Sequence, residues 1–236
     1  MSKEHKKKNL KTIWQKLWYF IWEDDSVLSW IVNVVIAFVL IKFIIYPGLG
    51  LLLGTTHPVV AVVSGSMEHK ITYDVKSQLN MCGRFYQEKE KVDFDYFWQE
   101  CSDFYKELNI NKLEFQEFPF KNGFNTGDII VLLGKKPKNI EVGDVIVFRA
   151  NQPDPIIHRV VRKWQIEGTE EYHFQTKGDH NDVSIMSTKI NEYDVTETQL
   201  IGKAVFKIPY LGNIKIWFVD LLRLLGLNNS VGRLFN

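Results

Sequence analysis

Between Val27 and Tyr46 the chain is apolar except for Ser29, Asn33 and Lys42. A stretch of about twenty such residues matches the hydrocarbon thickness of a bilayer. A globular helix of that length normally carries a polar face. A cleaved signal peptide normally has a shorter apolar region, about 7–15 residues. Trp14, Trp18, Tyr19, Trp22 and Trp30 crowd the near end and Tyr46 the far end, the depth that amphipathic rings prefer. Lys42 sits where its stem can snorkel outward. The first sixteen residues hold Lys3, Lys6, Lys7, Lys8, Lys11 and Lys16 against a single acid, Glu4. The positive-inside rule then keeps the tail cytoplasmic and delivers everything after Pro47 to the other side. The expected layout is a basic cytoplasmic tail over 1–26, a single transmembrane helix over 27–46, an extracytoplasmic domain over 47–212 and a membrane-proximal segment over 213–236.

The chain has 236 residues, 45% of them hydrophobic, which suits one globular domain beside one anchor. A net charge of +1 argues against a nucleic-acid partner, which calls for a basic excess. Cys82 and Cys101 are the two cysteines, too few for a disulfide scaffold or a four-cysteine zinc site. An extracytoplasmic location permits them to pair, and the sequence leaves that open. Short β-branched runs bounded by turn residues recur at 58–63, 128–133, 144–148, 156–161, 172–176 and 201–206. They read as antiparallel strands with no intervening helix of βαβ spacing. Gly127-Asp128 and Gly143-Asp144 open two of them in the same way. From 70 to 125 the composition turns aromatic and charged. Phe94, Phe97, Trp98, Cys101, Phe104, Tyr105 and Leu108 fall at helical spacing, an amphipathic helix that packs on the β body or faces a partner. Near the end, Ile214, Trp217, Phe218, Leu221 and Leu225 surround Lys215, Asp220 and Arg223. An amphipathic helix on the membrane or the body suits that pattern better than a second span. The expected fold is mainly β: an antiparallel catalytic body, an N-terminal transmembrane helix and an α-rich insertion.

Ser64-Gly65-Ser66-Met67 follows the strand at Val59–Val63. A serine hydroxyl needs a base to take its proton and donors to hold the oxyanion that forms. Histidine suits the base because its reference pKa of about 6.5 is near working pH, and a carboxylate can orient the imidazole. Ile157-His158-Arg159-Val160 and Thr176-Lys177-Gly178-Asp179 supply both types, and Asn181-Asp182 adds a second carboxylate. Taken alone, His158 reads as a structural strand residue, and Asp179 and Asp182 as turn formers.

The ordered set of these motifs resembles type I signal peptidases, in the branch found in archaea and the endoplasmic reticulum. Pro209-Tyr210-Leu211-Gly212 belongs to the same likeness, which covers most of 58–68 and 126–217. The resemblance implies Ser66 as nucleophile and His158 as base, at the position where bacterial relatives carry lysine. It implies an oxyanion hole from the Ser64 hydroxyl and the Ser66 amide. Asp182 is favoured as the orienting acid and Asp179 as a supporting hydrogen-bond partner; the spacing between them is shorter than in the family. Two further departures stand out. His69 occupies a position where the family usually has proline, and a long stretch separates Met67 from Gly127-Asp128. His69 reads as a loop histidine, and His180 and His173 are bases by composition only.

The implied function is a membrane-bound serine endopeptidase that removes N-terminal signal peptides from exported preproteins, with no cofactor or metal. Its partners would be the signal peptides of secretory preproteins, membrane lipid, and translocation machinery or accessory subunits. The expected location is an archaeal-type cell membrane, with the endoplasmic reticulum membrane as the alternative. Two other readings stand beside it. One is an inactive anchored subunit of an export complex. The other is a self-cleaving relative, disfavoured by the anchor and by the lack of a DNA-binding module.

Overall fold

The computed structural model describes residues 12–74 and 76–210, in two compact units that divide between Leu52 and Leu53. The lysine-rich residues 1–11 and the segment expected at 213–236 lie outside the described residues.

The first unit holds helix α1 (Ile13–Trp22) and all but the last residue of helix α2 (Val27–Leu53). The Thr12 hydroxyl caps α1 and the Ser26 hydroxyl caps α2, each accepting an amide that the first turn leaves open. The last turn of α1 leaves carbonyls open in the same way. The Ser29 hydroxyl donates to the Phe20 carbonyl and the Asn33 amide to the Ile21 carbonyl at 2.8 Å. Two of the polar breaks in the apolar run therefore serve to bind the two helices together. Among the described residues α2 is the one helix long and apolar enough to cross a membrane, and only 6% of its most apolar stretch is buried within the protein. At about 1.5 Å per residue it has length to spare for a bilayer core.

The helix runs seven residues beyond the expected Tyr46 boundary and passes through Pro47. Over Ile41–Ile45 it widens to π geometry, with the Tyr46 N–H bonded to the Ile41 carbonyl. A proline ring clashes with the carbonyl four residues back. A wider turn just before Pro47 is one way a helix accommodates that clash. The helix stops where Gly54 takes a φ of +64°, the left-handed position that favours glycine after a helix.

The second unit is built on a seven-stranded antiparallel sheet. In chain order its strands are β1 (Val59–Ala61), β5 (Ile129–Leu133), β6 (Val145–Phe148), β7 (Ile156–Gln165), β8 (Tyr172–Lys177), β9 (Val195–Thr196) and β10 (Leu200–Ile208). Across the sheet the order is β1-β5-β10-β6-β7-β8-β9. Strand β6 is buried on both faces. Val145 and Val147 join a cluster with Val62, Met67, Phe124, Ile130 and Leu132, while Ile146 and Phe148 join one with Val160 and Phe174. That two-sided burial explains why its sequence is apolar throughout rather than alternating. The repeated Gly-Asp pairs form the same turn twice. Gly127 and Gly143 take φ near +90°. Asp128 accepts the Asn125 N–H and Asp144 the Glu141 N–H, both at 2.9 Å.

The insertion adds a second, three-stranded sheet of β2 (Thr72–Tyr73), β3 (Leu79–Met81) and β4 (Arg84–Tyr86). It also holds helices α3 (Phe94–Glu107) and α4 (Lys112–Glu117). Asp93 caps α3 by accepting the Tyr96 N–H at 2.9 Å. Phe97, Trp98, Cys101 and Tyr105 of α3 are buried with Phe115, Ile110 and Met81. The pairing left open by the sequence is present: Cys82 and Cys101 form a disulfide. The small sheet was not expected, because strands of only two or three residues are too short to show a readable alternation.

Candidate active site

Ser66 sits on a short turn pinned at both ends. Upstream, the Val62 N–H bonds the Asp128 carbonyl and the Gly127 N–H bonds the Val62 carbonyl, each at 2.9 Å. Downstream, Met67 is fully buried and its carbonyl accepts the Phe124 N–H at 3.1 Å. Between them the Glu68 N–H closes back on the Gly65 carbonyl at 2.9 Å. The methionine acts as a plug in the core, and the serine before it stays half-buried at the surface.

Ser66 Oγ lies 2.8 Å from Nε2 of His158 and 3.2 Å from the Ser64 hydroxyl. His158 is buried on β7, opposite Ile146 of β6. Its other nitrogen, Nδ1, bonds Oε1 of Glu192. Glu192 is fully buried. The Thr176 hydroxyl donates to its Oε1 at 2.9 Å and the Ile185 N–H to its Oε2 at 2.8 Å. Its backbone is fixed as well: its N–H bonds the Ile185 carbonyl, and its carbonyl accepts the Thr176 N–H. A serine, an imidazole and a buried carboxylate thus form one hydrogen-bonded line, the arrangement acyl-transfer chemistry needs.

The carboxylate in that line is not Asp182. Asp182 is exposed, and its side chain lies against Gly83, where an added Cβ would come within 2.8 Å of its Cγ. The cause is the turn before it, where the Asn181 N–H bonds the Gly178 carbonyl and carries the next residue toward the insertion. The segment 185–192 then folds back on itself, with an isolated bridge between Met186 and Asn191, and brings Glu192 beside Thr176. In the sequence Glu192 stands among Asn191, Tyr193 and Asp194, with no motif or apolar setting to mark it.

Asp179 does not touch His158 either; it is the centre of a separate buried cluster. Arg159 donates Nε to its Oδ1 at 2.9 Å and Nη2 to its Oδ2 at 2.7 Å. The Tyr105 hydroxyl donates to Oδ1 at 2.8 Å, and His69 Nε2 lies 3.0 Å from Oδ2. The remaining guanidinium hydrogens go to the carbonyls of Pro119, Gly143 and Phe120, so Arg159 uses all five donors. Burial pushes the Asp179 carboxyl up, but the Arg159 guanidinium and the His69 contact outweigh it and hold it far below the usual carboxylate range. Burial likewise pulls the His69 imidazole down. Lys177, fully buried, is pulled down to about 8 by its desolvation. Its ammonium donates to the carbonyls of Gly178 and Asp179 and lies over the Tyr105 ring.

The other histidines are engaged elsewhere. His180 bonds the Glu68 carbonyl and the Thr72 hydroxyl, and His173 pairs with Asp194 and Glu171. Among the described residues no group of three His, Cys, Asp or Glu side chains is placed to hold a metal ion.

No protein-family model matches the chain. Curated proteins do. The signal peptidase complex catalytic subunit of Saccharomyces cerevisiae is 32% identical over 120 residues, which take in 46% of this chain and 70% of that protein. The chain belongs to the type I signal peptidase family. The signal peptidase complex catalytic subunit of Schizosaccharomyces pombe is 38% identical over 85 residues, 34% of this chain and 43% of the relative. That of Lachancea thermotolerans is 37% identical over 101 residues, 41% of this chain and 59% of the relative. The chain thus spans about half the length of these two signal peptidase subunits. All three come from yeasts, and they lend no support to the archaeal membrane expected from the sequence.

Proposed function

We propose that the protein is a membrane-anchored serine endopeptidase that removes signal peptides from preproteins, with Ser66, His158 and Glu192 as its reacting line. The contact of Ser66 Oγ with His158 Nε2 at 2.8 Å, backed by the buried Glu192 on Nδ1, carries the reading. Nδ1 donates its hydrogen to Glu192, which leaves the Nε2 lone pair free to take the Ser66 proton. Ser66 then attacks the scissile carbonyl. The Ser66 N–H has no acceptor among the described residues, and with the Ser64 hydroxyl it forms the donor pair for the developing oxyanion. His158 returns the proton to the leaving amine, and water, deprotonated by the same imidazole, clears the acyl-enzyme. Asp179 fixes the loop beside the site rather than the base.

Helix α2 anchors the enzyme, and the lysine-rich tail stays on the cytoplasmic side. The Cys82–Cys101 bridge supports delivery of the second unit to an oxidising compartment. The relatives' origin in yeasts fits the endoplasmic reticulum alternative, and their names suggest companion subunits of a complex. Small residues at A-x-A-like positions are the substrate feature this family would recognise. Purified wild-type protein should cleave a preprotein at its signal-peptide junction. Ser66→Ala should lower that rate by about 10³-fold or more. Equal processing by the two proteins would remove Ser66 from the role, and intact preprotein that stays bound to both would leave an inactive subunit.

A further inference from the structure

The insertion does more than decorate the sheet: it grips the loop that lies directly under the reacting groups. That loop, 178–182, touches Ser66 and His158 at close range. The His180 N–H bonds the Ser66 carbonyl at 2.9 Å, and the Asp179 N–H meets Met67 Sδ at 3.3 Å. A Cβ on Gly178 would stand 2.7 Å from the Ser66 carbonyl oxygen and 2.8 Å from His158 Nε2. The backbone of the loop therefore sets how far the nucleophile stands from its base.

Four contacts hold the loop from the insertion side. The Cys82 N–H bonds the His180 carbonyl at 2.9 Å. Cys82 Sγ, without a hydrogen once bridged, rests 3.4 Å from the Asp179 carbonyl oxygen. Gly83 abuts Asp182, and the Tyr105 hydroxyl reaches Asp179 Oδ1 at 2.8 Å. Cys82 belongs to the hairpin of β3 and β4, and Tyr105 to α3. One covalent bond joins the two, because Cys101 stands one helical turn before Tyr105. His69 adds a third arm, bonded to Asp179 and stacked on Phe97 of α3 at 3.5 Å between ring centres.

We propose that the Cys82–Cys101 bridge and Tyr105 form a clamp that positions the nucleophile, so that turnover depends on the oxidised insertion. The proposal rests on the reading of Ser66 as nucleophile. Opening the clamp takes a dithiol reductant. Two electrons pass to the protein disulfide, its S–S bond breaks, two cysteine thiols form, and the reductant closes to its own disulfide, with protons conserved between the pairs. The enzyme would then reach full activity only on the oxidising side of its membrane, after its second unit has crossed.

The test uses the full chain in detergent, with dithiothreitol as reductant and a preprotein as substrate. Reduction should lower kcat about tenfold or more with little change in KM, since small misplacements of reacting groups cost rate rather than binding. Reoxidation should restore it. Cys82→Ser/Cys101→Ser should be slow from the start and indifferent to dithiothreitol. Tyr105→Phe should lower kcat with the bridge intact. Hydrogen exchange of the amides of Asp179 and His180, bonded to Met67 Sδ and the Ser66 carbonyl, should quicken on reduction. Unchanged kcat and unchanged exchange in reduced, folded protein would overturn the clamp. A change in melting temperature alone would do the same, by showing a merely structural bridge. If no form cleaves preprotein, the exchange measurement still decides the clamp, and the failure falls on the proposed activity instead.

Discussion

On the proposed mechanism three side chains carry the chemistry, and they differ in how far the sequence announced them. Ser66 was proposed from the sequence through the family resemblance of Ser64-Gly65-Ser66-Met67, and the structure brings its hydroxyl to His158. His158 was marked only by its place in the family-like motif Ile157-His158-Arg159-Val160, since alone it reads as a structural strand residue. Glu192 was not, since its burial depends on a fold-back of 185–192 that leaves no periodic trace. The acid expected at Asp182 is turned outward by a tight turn one residue earlier. Glu192→Gln should therefore lower kcat by on the order of 10²–10⁴-fold, by misplacing the imidazole hydrogen. Asp182→Asn should leave kcat unchanged in the same preprotein assay. Lys177 gives a test by pH. Burial pulls it down to about 8, while an unfolded lysine titrates near 10.4. Between those values the unfolded chain binds more protons, so stability rises with pH there. Urea unfolding of the wild type should show that rise relative to Lys177→Met, and parallel curves would contradict it. Asp179 has the opposite origin and the same slope. Its lowered carboxyl contributes stability that is present above about pH 4 and lost as pH falls toward its folded value.

At the scale of elements, turn chemistry was read well and helix ends less so. The repeated Gly-Asp pairs did prove to be one turn used twice, because each aspartate accepts the amide three residues back and each glycine takes φ near +90°. At Gly143 an added Cβ would fall 2.2 Å from the Phe118 ring. Gly143→Ala should cost roughly 1–3 kcal/mol from strain and overpacking together, measured as a shift of the urea midpoint. A midpoint equal to wild type would show the turn to be adaptable. The anchor was expected over Val27–Tyr46 because that apolar run matches a bilayer core, while the helix continues through Pro47. The π turn at Ile41–Ile45 is what lets it continue to Leu53. Amphipathic spacing located α3, whose buried face is the one read from the sequence. The three short strands beside it escaped notice, since two or three residues are too few to show a period.

For the whole molecule, composition was enough to separate an anchor from a globular unit. Length allowed one of each, and the structure forms two compact units that divide between Leu52 and Leu53. Helix α2 should keep the protein in the membrane pellet through an alkaline carbonate wash; release into the supernatant would contradict a spanning anchor. What composition could not foresee is the joining of the insertion to the loop 178–182, because it depends on contacts among Asp179, Arg159, Tyr105 and His69 that lie far apart in the chain. The most direct test is to trap the covalent intermediate. A preprotein is mixed with the purified enzyme, quenched within a turnover in acid, digested and read by mass spectrometry. The signal-peptide fragment should be found esterified to Ser66 in wild type, be missing in Ser66→Ala, and be much reduced in Glu192→Gln. Cleavage that proceeds with no acyl group on Ser66, or with one on another residue, would contradict the account.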